Sequence, residues 1–369
     1  MKIAVLCEQA EGERRVALVP ESVKKLTAKG LHQVVVQASA GAKAFHPDAE
    51  YTAAGATVVQ TAAEALKEAQ VLLGINAPAP ATLSALPKGA TVIALLRPSD
   101  ALKQALTAQG LTAVALEKVP RTTRAQAADV LSSQATVAGY AAVLLGASAL
   151  PRLMPMLTTA AGTLTPAKVL VCGAGVAGLQ AIATARRLGA QVTGFDVRAA
   201  AREQVASLGA KFIELPQPTA AAEGQGGYAK EAGEALTALI QSTLGEVVPQ
   251  FDLFVTTAAI PGKKAPILFT KAAMERLKPG AVVVDLAAET GGNTELTRAG
   301  ETVAAGQGKI IGPLQLASTH AQHASSMFSR NLVTLLGFMS AEGGALQVDE
   351  KDDVVGPMLV SLNGALKGA

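Results

Sequence analysis

The sequence predicts an α/β protein with two doubly wound, mostly parallel sheets (Rossmann-like domains) joined by a long helix. Short apolar runs rich in Val, Ile and Leu alternate along the chain with helical stretches that end at glycine. This βα rhythm is typical of parallel sheets that are covered by helices on both faces. The chain has 369 residues, of which 50% are hydrophobic, and this is enough for two domain cores.

The first domain is expected to comprise residues 1–129 together with a segment from about 322 to 369. Short apolar runs predict its strands at 2–6, 33–37, 57–59, 71–75, 91–95 and 112–115. Helices are predicted between these strands at 21–29, 48–54, 61–69 and 100–109. Three of the helices are followed by the residue that most often ends a helix, at Gly30, Gly55 and Gly110. A last helix at 325–336 leads to a tail that we expect to return to this domain.

The second domain is expected at about 130–321. Its strands are predicted at 168–172, 191–195, around 212, and at 253–257, 281–286 and 309–312. The uncharged stretch from Val130 to Pro151 is long enough to span a membrane. Because it contains several Ser, Thr and Gln residues, we interpret it as the buried helix between the domains.

The motif that organises the second domain is a glycine-rich turn between a strand and a helix. Lys168–Cys172 runs into Gly173-Ala-Gly175-Val-Ala-Gly178, and a second apolar run ends at Asp196. Gly173 allows the tight turn, Gly175 lets a pyrophosphate approach the backbone, and Gly178 lets helix and strand pack closely. The helix N-terminus then faces the phosphates. The alternative is a plain βαβ turn, but the strand, helix, second strand and acid all have the expected spacing.

Asp196 predicts which dinucleotide is preferred. A carboxylate at this position accepts hydrogen bonds from the adenosine ribose hydroxyls and repels a 2′-phosphate, so the site favours NAD over NADP. Arg198, two residues later, is the opposing signal because it could pair with a 2′-phosphate. We expect it to lie beside the adenine instead.

A polar loop precedes the long helix. Its sequence, PRTTRAQAADVLSSQ from Pro120 to Gln134, contains four candidate site residues, Arg121, Gln126, Asp129 and Ser132. Amide and hydroxyl groups suit a nicotinamide carboxamide, and polar groups at a domain junction can line a cleft. The alternative is a cap for the following helix, with Asp129 or Ser132 as the capping residue.

Composition excludes several other classes. The net charge of +3 is too small and dispersed for nucleic-acid binding. No Cys/His cluster suggests a metal site, and two cysteines, Cys7 and Cys172, fit a reducing compartment. The chain begins directly with a strand rather than a signal peptide. The Gly-rich loop 224–230 is either a lid over the nucleotide or a plain flexible connection.

The chain resembles the NAD(H)-binding component (domain I, alpha subunit) of proton-translocating nicotinamide nucleotide transhydrogenase, over nearly its whole length. The matching segments are 14–20, 120–134, 159–163, 173–198, 226–231, 256–263 and 287–293. In particular, the Arg-Ala-Gln-x-x-Asp loop followed by Leu-Ser-Ser-Gln is specific within the alanine dehydrogenase/transhydrogenase superfamily.

This resemblance implies a function. NADH binds this component, and its hydride passes directly to NADP⁺, bound on an NADP-binding beta subunit. The transfer is coupled to proton translocation by a separate membrane-domain subunit. The resemblance also implies a homodimer that is cytoplasmic and peripheral on the inner face of the cell membrane. Since the chain ends at Ala369 without a membrane domain, it resembles the split form of the enzyme.

The resemblance also implies roles for single residues. The nicotinamide end is held by residues matching Arg121, Gln126, Asp129 and Ser132. The pyrophosphate and adenosine end is held by residues matching Val176, Asp196, Val197 and Arg198. The nucleotide pocket is further lined by residues matching Gly227 and Ala259, and the loop carrying Tyr228 closes over it.

The alternative function is alanine dehydrogenase, which shares the fold and the glycine motif. Its catalysis uses a Lys and a His in the first domain, on strands that match Leu72–Pro78 and Ile93–Arg97. Neither residue type occurs in those segments here, although Arg15, which matches the arginine for the substrate carboxylate, is present. Without a general acid, reduction of an imine has no proton source.

Overall fold

The computed structural model describes residues 1–216, 233–260 and 262–367. The chain divides into two compact units, Met1–Gln134 with Ala317–Ala369, and Ala135–Leu316. The first boundary falls inside a 20-residue helix, Val130–Ala149. The domain limits expected from the sequence, at about 130 and 321, stay a prediction.

The described strands are short, as is usual for α/β domains. In chain order they are β1 (Lys2–Val5), β2 (Gln33–Gln37), β3 (Thr57–Val59), β4 (Val71–Asn76), β5 (Thr91–Leu95), β6 (Thr112–Ala115), β7 (Leu157–Thr159), β8 (Gly162–Leu164), β9 (Lys168–Cys172), β10 (Gln191–Phe195), β11 (Lys211–Phe212), β12 (Leu253–Thr256), β13 (Val282–Asp285), β14 (Thr302–Ala305), β15 (Gly308–Ile311), β16 (Leu359–Leu362) and β17 (Ala365–Leu366).

The helices alternate with these strands. They are α1 (Pro20–Thr27), α2 (Asp48–Ala53), α3 (Ala62–Leu66), α4 (Pro80–Ser84), α5 (Asp100–Ala108), α6 (Val130–Ala149), α7 (Val176–Arg187), α8 (Ala201–Ser207), α9 (Glu234–Val247), α10 (Lys271–Met274), α11 (Ala321–Phe338) and α12 (Val355–Met358).

The sheet of the first unit has the order β17-β16-β6-β5-β4-β1-β2-β3. Strands β1 to β6 are parallel, whereas β16 and β17 extend one edge antiparallel. From the central β1 the chain winds outward through β2 and β3, then returns to wind the other way through β4, β5 and β6. The gap outside the carboxyl ends of β1 and β4 is therefore the topological switch point, where open α/β sheets usually bind ligands.

The C-terminal segment is held on the first unit by serine side chains. Ser325 and Ser329 of α11 accept hydrogen bonds from the backbone N–H groups of Val16 (3.0 Å) and Val19 (3.1 Å). Together with the pairing of β16 with β6, these bonds give the backbone of the segment before α1 partners that it does not find in a sheet.

The sheet of the second unit has the order β11-β10-β9-β12-β13-β15-β14, and only β14 is antiparallel. Both faces are covered, so β9 is apolar throughout. Val169 and Val171 pack into one core cluster, and Leu170 and Cys172 pack into the other. The switch point of this sheet lies between β9 and β12. The α/β class with two doubly wound sheets is thus confirmed.

Helix α6 is long and apolar enough to cross a membrane by length and composition, and it is the one described helix that passes this test. Within the second unit, its glycines let it approach other elements closely. A Cβ atom on Gly139 would lie 2.1 Å from the carbonyl oxygen of Ala177, and one on Gly146 would lie 2.4 Å from Leu253. This packing is that of a core helix in a globular domain.

The structure contains elements that the sequence analysis did not predict. Strands β14, β16 and β17 are short edge strands, and β7 and β8 form a hairpin. Every residue of this hairpin's strands is exposed, including the cross-strand pair Leu157 (42%) and Leu164 (54%).

Candidate nucleotide-binding site

The glycine-rich turn connects β9 to α7 at the switch point of the second unit. Gly173 has a φ of +97°, and a Cβ atom there would lie 2.5 Å from the hydroxyl of Thr257. Gly178 packs against the same turn. Gly175 differs, because a Cβ atom on it would meet nothing within 4 Å.

The turn therefore leaves an open space in front of α7. Gly175 is the N-cap of this helix and provides no side-chain hydrogen bond to its first turn, so backbone N–H groups there are available to an anion. Val176 begins the helix and is 38% exposed. A cradle that a side chain at Gly175 would fill, beside an uncapped helix N-terminus, fits the pyrophosphate of a dinucleotide.

Asp196 and Arg198 form a closely bonded pair immediately after β10. One carboxylate oxygen, Oδ1, accepts the backbone N–H and Nε of Arg198, both at 2.9 Å. The other, Oδ2, accepts the N–H of Ala174 at 2.7 Å and Nη2 of Arg198 at 2.8 Å. Burial raises the pKa of the Asp196 carboxyl, but the hydrogen bonds from Arg198 and Ala174 outweigh it, so the pKa lies below its ordinary value.

Asp196 thus lies next to the glycine turn, as the motif predicts, and its carboxylate is charged. Arg198 rests on that carboxylate. Val197 lies between them and is half-buried against the core.

The neighbouring turn, after β12, carries Ala259. Thr257 joins this turn to the glycine motif by donating its hydroxyl to the carbonyl of Gly173 at 3.0 Å. Asn293 fixes the same turn from the other side. It accepts the N–H of Ala258 (3.0 Å) and donates Nδ2 to the carbonyls of Ala258 (2.8 Å) and Pro266 (2.9 Å).

The sequence analysis did not assign a role to Asn293 or Thr257. Asn293 is fully buried, and its own backbone N–H donates to the buried Asp285 at 2.6 Å. Asn293 belongs to one of the segments that carry the family resemblance, but only its burial reveals that its side chain shapes the Ala258–Ala259 turn.

The candidate nicotinamide loop lies in the first unit. Asp129 caps α6, since its carboxylate accepts the N–H of Ser132 at 2.9 Å and its hydroxyl at 2.5 Å. These two residues therefore form the helix cap that the sequence allowed as the alternative. Arg121 and Gln126 are exposed on the loop.

Arg124 anchors this loop to the C-terminal segment. Its guanidinium bonds to Asp352 at 2.8 Å and to Asp353, and it lies 4.6 Å from the ring centre of Phe338. Asn331 adds a hydrogen bond to the carbonyl of Ala127 at 2.8 Å. The loop is thus held in place by α11 and by the residues before α12.

The switch point of the first unit is filled by a buried charged cluster. Arg15 donates Nε and Nη2 to the carboxylate of Glu13 at 2.8 and 2.6 Å, and Nη1 to Gln134 at 2.9 Å. Asn76, at the end of β4, donates Nδ2 to Glu13 at 3.0 Å and to Glu8 at 3.1 Å.

The two carboxyls of this cluster differ in acidity. Burial raises the pKa of Glu13, but its bonds with Arg15 and Asn76 outweigh that effect and lower it to about 2. Burial raises the pKa of Glu8, and repulsion from Glu13 adds to the rise. The Arg15 guanidinium is therefore neutralised internally by Glu13.

Gly227, Tyr228 and the Gly-rich loop 224–230 lie outside the described residues, so their expected roles stay predictions.

Comparison with known proteins places this site in a family. The pattern described as "Alanine dehydrogenase/PNT, N-terminal domain" matches residues 4–138, and the corresponding C-terminal domain pattern matches residues 142–368. An NAD(P) transhydrogenase subunit alpha protein of Rhodospirillum rubrum is 43% identical over 380 residues, which cover 99% of this chain and 97% of that protein.

Structural comparison agrees. A crystal structure of transhydrogenase from Sinorhizobium meliloti has a TM-score of 0.89 and 44% identity, with both chains fully covered. Alanine dehydrogenase of Mycolicibacterium smegmatis is 34% identical over 304 residues, which cover 81% of this chain and 75% of that protein. The resemblance to the transhydrogenase component is thereby confirmed, and the chain belongs to the alanine dehydrogenase/PNT family.

Proposed function

We propose that this chain is the NAD(H)-binding subunit of a proton-translocating nicotinamide nucleotide transhydrogenase, which passes hydride from NADH to NADP⁺ on a partner subunit. The observation that carries the proposal is the open cradle at Gly175, beside the uncapped N-terminus of α7 and the charged Asp196. The names of the transhydrogenase relatives, which match almost the whole chain, support it.

The residues divide the binding between two ends of the nucleotide. Gly173, Gly175, Val176 and Gly178 receive the pyrophosphate, while Asp196, Val197 and Arg198 hold the adenosine end, with Gly227, Tyr228 and Ala259 lining the pocket. Arg121, Gln126, Asp129 and Ser132 orient the nicotinamide. Bound NADH supplies the hydride, and transfer between two nicotinamides moves no proton, so orientation is the main task of the protein.

The alternative, alanine dehydrogenase, is disfavoured by the first unit. A 2-oxo acid needs a cation for its carboxylate and a general acid for its nitrogen. Here the Arg15 guanidinium is bonded to Glu13 and Gln134, and the end of β4 carries the non-ionisable Asn76. The alanine dehydrogenase relatives also match a smaller part of the chain.

We further propose that the chain acts in an assembly. Its partners are the NADP-binding beta subunit and a membrane-domain subunit, which together hold it on the cytoplasmic face of the membrane and couple hydride transfer to proton translocation. It forms a homodimer, and the exposed leucine pair of the β7–β8 hairpin is the surface that we assign to the second copy.

The test uses the full chain mixed with its NADP-binding partner. We expect hydride transfer from NADH to an NADP⁺ analogue of shifted absorbance, and no oxidation of alanine when NAD⁺ is supplied to the chain alone. If alanine is oxidised and no transfer between nucleotides occurs, the alanine dehydrogenase function replaces the present one.

A further inference from the structure

We infer that Arg198 competes with the adenosine ribose for Asp196, and that it thereby sets how strongly the site recognises the ribose hydroxyls. This inference rests on the proposed binding of NADH. A carboxylate offers about four acceptor positions. At Asp196 four donors fill them, namely the N–H groups of Ala174 and Arg198 and two guanidinium nitrogens of Arg198.

A ribose hydroxyl can donate to Asp196 only after one of these donors leaves. The two backbone donors are fixed, because Ala174 lies within the glycine turn, where it is 2% exposed, and the N–H of Arg198 follows the end of β10. The guanidinium is the movable donor, since it is at the end of a flexible side chain.

The exchange has a cost that depends on the local environment. The side chains of Asp196 and Arg198 are only 6% and 17% exposed, so water screens their attraction poorly. Binding NADH therefore breaks a bidentate ion pair and replaces it with hydrogen bonds from neutral hydroxyls. Part of the free energy that the ribose gains at Asp196 is lost in displacing Arg198.

The experiment compares NADH with its analogue lacking the 2′-hydroxyl of the adenosine ribose, by calorimetry on the full chain. The ratio of the two Kd values isolates the contact with Asp196, because adenine contacts contribute equally to both ligands. We expect Arg198→Ala to raise this ratio by about tenfold over the wild type, because removing the competitor restores about 1.4 kcal/mol to the ribose contact.

Matched variants make the result specific. Arg198→Lys keeps a positive charge but not the bidentate geometry, so an intermediate ratio is expected. Arg187→Ala changes an exposed arginine at the far end of α7 and should leave the ratio as in the wild type. Asp196→Asn combined with Arg198→Ala should abolish the increase.

An unchanged or lower ratio in Arg198→Ala, with NADH still bound, would overturn this inference and leave the proposed function intact. Failure of the wild-type chain to bind NADH at all would instead contradict the proposed function.

Discussion

A Cβ atom on Gly178 would lie 1.7 Å from the carbonyl oxygen of Gly173, so no side chain fits between α7 and the turn that follows β9. Gly175, between them in sequence, faces open space. These glycines therefore have different tasks, and two single substitutions separate them.

Gly178→Ala is expected to force α7 away from the turn and to destabilise the second unit by about 2 kcal/mol, as overpacking does in other cores. Gly175→Ala should keep the wild-type thermal midpoint and lose at least about tenfold in NADH affinity, because the new methyl group occupies the pyrophosphate cradle. Thermal unfolding and calorimetry measure the two effects. Equal NADH affinity in Gly175→Ala and the wild type would contradict the assignment of the cradle.

Glu13 and Glu8 provide a second matched pair. Glu13→Gln leaves the buried Arg15 guanidinium without its counterion, which is expected to cost about 3 kcal/mol. Glu8→Gln replaces a carboxyl of raised pKa with a neutral group of the same shape, so a change within about 1 kcal/mol is expected. Urea midpoints of the two variants compare them. If Glu8→Gln proves the more damaging, the charge assignment within this cluster is wrong.

The same pair predicts a pH dependence. The pKa of Glu13 is lowered from 4.5 to about 2 in the folded state, so its stabilising effect is complete above pH 4.5 and is lost as the pH falls toward 2. The thermal midpoint of the wild type should therefore fall more steeply over this range than that of Glu13→Gln. Parallel curves would show that Glu13 keeps an ordinary pKa.

Leu157 and Leu164 test the homodimer. Replacing either leucine with lysine places a charge in the proposed contact, and should raise the dimer dissociation constant by at least about tenfold. Leu366→Lys is the control, because Leu366 is similarly exposed (48%) but belongs to β17 in the first unit. Sedimentation equilibrium measures all three. A hairpin variant that dimerises like the wild type would remove the hairpin from the interface.

Gln126 tests the nicotinamide loop. Because this side chain is exposed and is assigned a positioning role, Gln126→Asn should slow hydride transfer to the partner by about tenfold while changing the Kd for NADH much less. Thr123→Ala, an exposed position on the same loop, is the control. A pure loss of affinity, with a normal transfer rate at saturating NADH, would assign Gln126 to binding alone.

Much of the fold could be predicted because each signal is local. Alternating apolar runs and terminal glycines placed β1 to β6 and the first helices within a few residues, since these patterns reflect burial on both faces of a parallel sheet. The edge strands β14, β16 and β17 and the β7–β8 hairpin were missed, because two to four residues carry too little periodicity to be recognised.

The sequence by itself determined the α/β class, the glycine turn and the acid that follows β10, because their spacing along the chain is fixed by one βαβ unit. Only the tertiary structure decided what those side chains do to one another. That Arg198 fills the acceptor positions of Asp196, that Glu13 neutralises Arg15, and that Asn293 shapes the turn after β12 all depend on burial and direction. Hydrogen bonds of this kind join residues whose separation in sequence carries no information about their distance in space.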